Sequence, residues 1–453
     1  MGKYFGTDGF RGEAGVTLTA EKAFRIGRYL GYHIKDLHSQ SNYRPRIVIG
    51  KDTRISSYML EYAISSGLSA SGADVSLLHV TTTPCVSYVT VTDGFDCGVM
   101  ITASHNPFYD NGIKIIDSRG EKLDDGTADL IERYIDALSD EIPLARGAEI
   151  GKIHDYYQGR NRYIGYLISL ASSSYKGLKI GLDSANGSAF AISRAVFSAL
   201  GAEIHAIGDE PNGTNVNDNC GSTHPERLAR LVKDNDLDIG FAFDGDADRC
   251  IAVDNNGHVV DGDRIIYTLA KRLKRNGMLS KNTVVATVMS NGGLVSSLGK
   301  IGIKTELTKV GDRFVYERMR QKNVALGGEE SGHIILSKYA TTGDGILTAI
   351  MLLEEICDTK TPLSELYADF INYPQISTSI KVKDKTQAAN DAELLDLKKS
   401  IEREIGECGR VLIRESGTEP KLRIMIEARS DEQCQMYIDA LISVLKNRGH
   451  IDA

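Results

Sequence analysis

The sequence predicts an α/β fold: three similar α/β units followed by a smaller α+β unit at the C-terminal end. Three observations carry this prediction. Short apolar runs alternate with stretches of helical periodicity through most of the chain, a strand-helix-Gly pattern occurs three times, and the pattern changes after Tyr373-Pro374. A length of 453 residues suggests about three packed domains, with two or four also compatible.

The first unit opens with Ala23, Ile26, Leu30 and Ile34 at helical spacing, followed by a buried strand from Arg46 to Gly50. Val75 to Leu78, Gly98 to Ile101 and Gly112 to Ile116 read as further strands, and Asp129 to Leu138 as a further helix. The second unit repeats the theme with a strand from Leu178 to Leu182 and a helix from Ala189 to Leu200. Gly201-Ala202-Glu203-Ile204 then enters the next strand much as Gly72-Ala73-Asp74-Val75 does. The third copy is weaker: it runs from the strand Val284 to Val288, through a helix starting near Gly292, to Gly302-Ile303-Lys304-Thr305. Asp369 to Pro374 reads as a linker, since the proline disfavours helix at the residue before it. Beyond it come an apolar strand, a helix around Leu394 to Ile405, strands Arg410 to Ile413 and Leu422 to Ile426, and a final helix to Lys446. The expected domains are residues 1–154, 155–255, 256–368 and 374–453.

Composition narrows the function classes. Hydrophobic residues make up 42% and charged residues 25%, as in ordinary globular proteins, and no apolar run reaches membrane-spanning length. Met1 to Arg11 has no secretory-signal pattern, and the seven cysteines are scattered without a C-x-x-C pair, which points to a reducing, cytoplasmic setting rather than to zinc or disulfides. A net charge of −8 argues against general nucleic-acid binding but leaves room for anionic small molecules held by local cations. There is no G-x-x-x-x-G-K-[ST] loop and no H-E-x-x-H motif, so a phosphoryl donor bound as a nucleotide triphosphate is not expected.

Four stretches carry chemistry. Asp244-Gly245-Asp246-Ala247-Asp248-Arg249 follows the apolar run Ile239 to Phe243, so three carboxylates leave the end of a buried strand together. A hard divalent cation such as Mg²⁺ would offset that charge, and Arg249 could bind phosphate beside it; a solvated acidic turn is the alternative. Thr102-Ala103-Ser104-His105-Asn106-Pro107 ends the Gly98 to Ile101 strand, where a phosphorylated Ser104 would be a stored phosphoryl donor able to give the metal an oxygen; a polar turn is the alternative. Gly327-Gly328-Glu329-Glu330-Ser331-Gly332-His333 sets acceptors between glycines, as sugar hydroxyls need, or forms an acidic cap. Arg414-Glu415-Ser416-Gly417-Thr418-Glu419-Pro420 joins two strands and offers a guanidinium, two hydroxyls and a glycine N–H to phosphate, or is only a hairpin loop.

Those four stretches, in that order and at those separations, resemble the phosphohexomutase superfamily over essentially the whole chain. Gly6-Thr7-Asp8-Gly9-Phe10-Arg11-Gly12, Asn219-Cys220-Gly221-Ser222-Thr223-His224-Pro225 and Ser416-Gly417-Thr418-Glu419-Pro420 resemble its amino-sugar branch in particular. The resemblance implies four domains around a central cleft, three α/β with mixed sheets and a smaller α+β one. It implies conversion of glucosamine 6-phosphate to glucosamine 1-phosphate through phosphorylated Ser104 and a sugar 1,6-bisphosphate that is both intermediate and activator, in the supply of UDP-N-acetylglucosamine and cell-wall precursors. Carried onto this sequence, Ser104, Asp244, Asp246 and Asp248 hold one Mg²⁺. Glu329 and Ser331 hold sugar hydroxyls, and Arg414, Ser416, Gly417 and Thr418 hold the non-reacting phosphate. Arg11, Lys114 and His333 fall where relatives steer protons or stabilise charge. Phe10, where many relatives carry a smaller aliphatic, and Glu330, where many carry Gln, depart from the pattern without removing a ligand. The same machinery acting on glucose or mannose phosphates, a phosphatase with Asp244 as nucleophile, and a non-catalytic sugar-phosphate sensor are the rival readings. No nucleic-acid or membrane partner is expected, and a homodimer is among the assemblies left open.

Overall fold

In the computed structural model, which describes residues 2–6, 8–38, 43–406, 409–415 and 421–451, four sheets follow one another along the chain. The first has seven strands, ordered Phe5–Gly6, Gly9–Glu13, Asp110–Asp117, Cys97–Ile101, Arg46–Lys51, Asp74–Val80, Ile153–Asp155. Arg46–Lys51 runs parallel to both of its neighbours, and Cys97–Ile101 then pairs antiparallel with Asp110–Asp117, so the sheet is mixed. Its central runs Ile47-Val48-Ile49 and Val99-Met100-Ile101 are fully buried, as strands covered on both faces must be. Ala23, Ile26, Leu30 and Ile34 sit on the inner face of the helix Ala20–Leu37 and join that core.

The second sheet is ordered Val259–Val260, Cys250–Val253, Ile239–Phe243, Lys179–Asp183, Glu203–Ile207; its last three strands are parallel, and Ile239–Phe243 turns back on Cys250–Val253. The third is ordered Lys304–Thr308, Thr283–Thr287, Leu326–Gly328, Ile334–Leu336. The fourth is antiparallel throughout, with Lys421–Glu427 between Gln375–Lys381 and Arg410–Glu415. The helices Ala392–Ile405 and Asp431–Asn447 cover one face of it through Leu394, Ile401, Tyr437, Ile438 and Leu441.

Three of the chemistry-bearing stretches connect antiparallel strands, 102–109, 244–249 and 329–333 in the first three sheets; of the fourth, residues 416–420 lie outside the described residues. Each of these three reversals brings polar residues to the carboxyl end of a buried strand, where α/β sheets place ligands. By packing, the described chain forms two compact units. One runs through Val288 and resumes from Glu306 to Ala368; the other takes Met289–Thr305 and the chain from Asp369 on.

Element boundaries differ from expectation where a cap decides them. The helix expected from Asp129 starts at Asp125, because the Asp124 carboxylate accepts the Thr127 N–H at 2.9 Å. The helix Gly345–Thr359 is buried on every side from Gly345 to Glu355, so it carries no amphipathic period to read. No helix among the described residues is long and apolar enough to cross a membrane.

Candidate active site

Ser104 follows the strand Cys97–Ile101 by three residues and is almost fully buried, with a backbone φ of 54°. A non-glycine residue in the left-handed region costs on the order of 1–2 kcal/mol and persists only where its surroundings hold it. Those surroundings are built from the fully buried Arg54, which donates to the carbonyls of Ser104 at 2.9 Å, Asn106 at 2.8 Å and Asp110 at 3.1 Å, and to that of Pro107. Asn217 donates to the Ser104 and Asn106 carbonyls from the other side, at 2.8 and 3.0 Å. Asp52 anchors Arg54 Nε at 2.8 Å and the Thr102 hydroxyl at 2.7 Å, and Thr102 Oγ1 accepts the Ser104 N–H at 2.9 Å. The serine is thus presented by a rigid loop with its Oγ donating to Asp244 Oδ2 at 2.6 Å. His105 Nδ1 lies 3.3 Å from the same hydroxyl, and burial, with Arg249 and Arg11 nearby, pushes its ring down to about 4, which keeps it neutral at neutral pH.

Asp244, Asp246 and Asp248 alternate out of the buried strand Ile239–Phe243 and each offers an oxygen within 4.8 Å of the others. Gly245 allows the approach to the serine: a Cβ there would stand 2.5 Å from the Ser104 carbonyl oxygen. Burial and the neighbouring Asp248 and Asp246 hold the Asp244 carboxyl well above the usual range. Burial also pushes Asp248 up, but Lys114 and His333 outweigh it and hold that carboxyl well below. Asp246 Oδ1 and Asp248 Oδ1 are buried with no hydrogen-bond donor. Orphaned anionic oxygens in a cluster of three, with no Cys or His in the set, match the oxygen-only shell of Mg²⁺ and not a zinc site.

Lys114 reaches this cluster from the strand Asp110–Asp117, with Nζ 2.7 Å from Asp246 Oδ2 and 3.1 Å from Asp248 Oδ2. Arg11, on Gly9–Glu13, pairs with Asp8, and its buried Nε has no acceptor. His333 accepts the Gly343 N–H at Nε2, at 2.9 Å, which fits a neutral ring carrying its proton on Nδ1, 3.7 Å from Asp248. The surrounding charges pull the other way: burial favours the neutral ring, but Asp248 and Asp312 raise its affinity for a second proton. The amide bond is the direct contact and decides for the neutral form.

Glu329 and Ser331 are half-buried on the loop between Leu326–Gly328 and Ile334–Leu336. The Gly332 N–H closes that turn on the Glu329 carbonyl at 3.0 Å. Cys250, at the end of the aspartate loop, donates to the Gly332 carbonyl, also at 3.0 Å. Glu329 Oε1 accepts the Gly311 N–H at 3.0 Å, and Glu329 is among the charges that act on Arg249. The structure therefore brings Ser104, the three aspartates, Arg11, Lys114, Arg249, Glu329, Ser331 and His333 into one region of the first unit.

Arg414 lies in the second unit, while Ser416, Gly417 and Thr418 fall outside the described residues. Arg414 stands directly across from Arg423 in the strand register. Both line a cavity of about 240 Å³ on one face of the sheet with Ser377, Ser379, Leu412 and Met425. Like charges placed opposite each other destabilise a sheet unless an anion lies between them. Burial, then Arg423, lowers the proton affinity of Arg414. Arg423 was not anticipated from sequence, nor were Arg54, Asn217 and Asp312, nor Thr83, whose hydroxyl donates to Asp246 Oδ2, nor Lys122, which pairs with Asp8. Asp8 lay inside the opening glycine-rich motif, and the others carry no local pattern.

Domain profiles of the phosphoglucomutase/phosphomannomutase family match in order: α/β/α domain I over residues 2–141, domain II over 161–257, domain III over 261–373 and the C-terminal domain over 378–443. With this fold and a serine set against three aspartates, the chain belongs to that family, within the phosphohexomutase superfamily. Its full-length relatives define the branch: the phosphoglucosamine mutase of Lachnospira eligens is 54% identical over 450 residues, covering 99% of this chain and 100% of the relative. A crystal structure of a phosphoglucomutase/phosphomannomutase family protein from Burkholderia thailandensis superposes with a TM-score of 0.81 at 26% identity, over 99% of each chain. The fold extends to Aspergillus fumigatus N-acetylphosphoglucosamine mutase, solved in complex with GlcNAc-6P and magnesium, at a TM-score of 0.69, 18% identity and coverage of 98% of this chain and 96% of that one.

Proposed function

We propose that the chain is an isomerase that interconverts glucosamine 6-phosphate and glucosamine 1-phosphate through phosphorylated Ser104 and a bound 1,6-bisphosphate. The observation that carries the reading is the buried Ser104 hydroxyl, 2.6 Å from one of three clustered carboxylates, in a chain 54% identical over its length to a phosphoglucosamine mutase.

Transfer from the phosphorylated enzyme makes a bond between phosphorus and the sugar O1 and breaks the bond to Ser104 Oγ, with loss of the 1-hydroxyl proton. After the bisphosphate turns end for end, the O6–P bond breaks, the phosphoryl group returns to Oγ and O6 regains a proton. The sugar leaves with the phosphoryl group that began on the enzyme, now on O1, and Ser104 carries the one that left O6, so the enzyme is phosphorylated as it began. Asp244, Asp246 and Asp248, with a phosphoryl oxygen, would hold one Mg²⁺, which supplies positive charge to the transferring group when bound. Lys114, Arg11 and Arg249 add cationic charge on the protein side, and the Arg249 guanidinium, near Asp244 and Glu329, is suited to hold phosphate. The rigid loop fixed by Arg54 and Asn217 keeps Oγ in place through both transfers. Glu329 and Ser331 would orient sugar hydroxyls, while Arg414, Ser416, Gly417 and Thr418, aided by Arg423, would take the non-reacting phosphate at either end of the sugar. A cytoplasmic enzyme feeding amino-sugar nucleotide and cell-wall precursor synthesis is the setting this reading implies.

Phosphorus NMR of the protein with glucosamine 6-phosphate, Mg²⁺ and a trace of sugar bisphosphate tests the reading, beside Ser104→Ala and with glucose and mannose phosphates as competitors. Glucosamine 1-phosphate is expected only with Ser104 intact. Inorganic phosphate from both proteins would replace the mutase by an Asp244-dependent phosphatase, and faster conversion of glucose or mannose phosphate would keep the mechanism but change the substrate.

A further inference from the structure

Two of the proposed functional residues, Lys114 and His333, belong to a ring in which Lys114, Lys122 and the His333 ring alternate with Asp8, Asp248 and Asp312. Lys114 Nζ lies 3.1 Å from Asp248 Oδ2 and 3.3 Å from Asp8 Oδ2. Lys122 Nζ lies 2.5 Å from the other Asp8 oxygen and 2.5 Å from Asp312 Oδ2. His333 completes the circuit, 3.6 Å from Asp312 through Nε2 and 3.7 Å from Asp248 through Nδ1. The last two distances are longer than hydrogen bonds, so the lysines are the tight joints. Of the six members, Lys122 is the cation whose ion pairs, to Asp8 and Asp312, lie one step removed from the three clustered aspartates.

We propose that Lys122 is a positioning residue for phosphoryl transfer: by bridging Asp8 and Asp312 it keeps Lys114 directed at Asp246 and Asp248 and keeps His333 in place. The argument is electrostatic. Asp8 also contacts Arg11 and Lys114, so three cations share its two oxygens. Without Lys122, the Asp8 carboxylate has only those two cations left, and it would draw Lys114 away from Asp246, 2.7 Å from it now. Asp312 would be left with His333 as its ring partner, 3.6 Å away. A partly buried carboxylate that loses a cation keeps uncompensated charge, which favours closer approach by the nearest remaining one. Asp8 precedes the strand Gly9–Glu13 and Lys122 follows its sheet neighbour Asp110–Asp117, so Lys122 links that strand pair to the helix Asp312–Lys322, which Asp312 opens.

The ring is also reachable. Lys122 is about a quarter exposed, and it lines a cavity of about 220 Å³ together with Lys114, Asp312, Tyr316, His333 and Thr341. A small primary ammonium ion could therefore enter the space vacated by a shortened side chain.

This inference rests on the mutase reading, and wild-type protein assayed in parallel separates the two: a wild type without mutase activity removes that reading, while the ring is judged only on variants of an active enzyme. Lys122→Ala is expected to lower kcat about 10- to 100-fold, the usual cost of removing an outer partner of a catalytic centre, with KM near the wild-type value. Added ethylammonium should restore kcat several-fold, and tetramethylammonium, which has the charge but no N–H donors, should not. Asp312→Asn breaks the same ring, so its loss and that of Lys122→Ala should not multiply in the double variant. Wild-type kcat in Lys122→Ala, a loss confined to KM, or losses that multiply in the double variant without rescue by ethylammonium would each overturn the proposal. If Lys122→Ala does not fold, Asp312→Asn carries the same expectation alone, and wild-type kcat there overturns it.

Discussion

Arg54 has no exposed surface, yet every nitrogen of its guanidinium has an acceptor: Asp52 and four backbone carbonyls around Ser104. A planar fork suits this task because its donors are fixed relative to one another, as a lysine ammonium's are not. Arg54→Ala would strand the Asp52 carboxylate without its cation and release the Ser104 loop from its left-handed conformation. We expect a loss of roughly 3–5 kcal/mol in urea unfolding, the range for breaking a buried pair. Arg54→Lys should recover part of the stability but less of kcat, since charge returns without the fork; equal recovery of both would show that charge alone is what the loop needs. Residues of this kind explain what was legible at this scale. Three aspartates spaced two apart after an apolar run announce themselves, whereas Arg54 acts on carbonyls about 50 residues away and Lys122 joins residues more than 100 positions apart. A side chain whose partners are backbone atoms or distant acids leaves no local signature.

Helix termini and hairpins are where sequence and structure agree or part at the scale of elements. The strands that feed the serine and aspartate loops, Cys97–Ile101 and Ile239–Phe243, were readable because both are short, wholly buried apolar runs. The helix Gly345–Thr359 was not, being buried all round, and its start depends on one buried side chain. Asp344 caps it by accepting the Leu347 N–H at 2.9 Å, and Tyr163 donates to its other oxygen at 2.7 Å. Burial pushes this carboxyl up to about 6, against both of those bonds, which favour the ionised form. Because the folded state holds the proton more tightly than the unfolded chain, the contribution of Asp344 to stability is full below its unfolded value near 3.8. It is lost as pH rises through about 6, by on the order of 3 kcal/mol. Asp344→Asn keeps an oxygen for the Leu347 cap and removes the titration. Urea midpoints at pH 4 to 7 should therefore fall less with rising pH in the variant than in the wild type, and parallel profiles would mean that the ionisation of Asp344 is not what limits stability there.

At the scale of the molecule, the chain divides into two compact units, and the three aspartates belong to the first, which also holds the large sheet core around Ile47, Ile49, Val99 and Ile101. The second has its own core around Leu422, Ile424, Ile426 and Leu441, so each has the apolar interior that a separate unfolding transition requires. An ion that binds only folded protein stabilises what it binds by RT ln(1 + [L]/Kd), about 2.7 kcal/mol at a hundredfold excess over Kd. Mg²⁺ should therefore raise the melting of the first unit and leave that of the second in place. Calorimetry with and without Mg²⁺ reads the two transitions, and hydrogen exchange should gain protection around 244–249 but not along 410–415 or 421–427. A single transition that moves as a whole would mean that the two cores unfold as one, which would make the serine loop and the Arg414–Arg423 face parts of a single cooperative body. No shift at all, with Asp246→Asn behaving like the wild type, would mean that the carboxylate cluster does not hold the ion, and Asp246 Oδ1 and Asp248 Oδ1, which have no hydrogen-bond donor, would then need another partner.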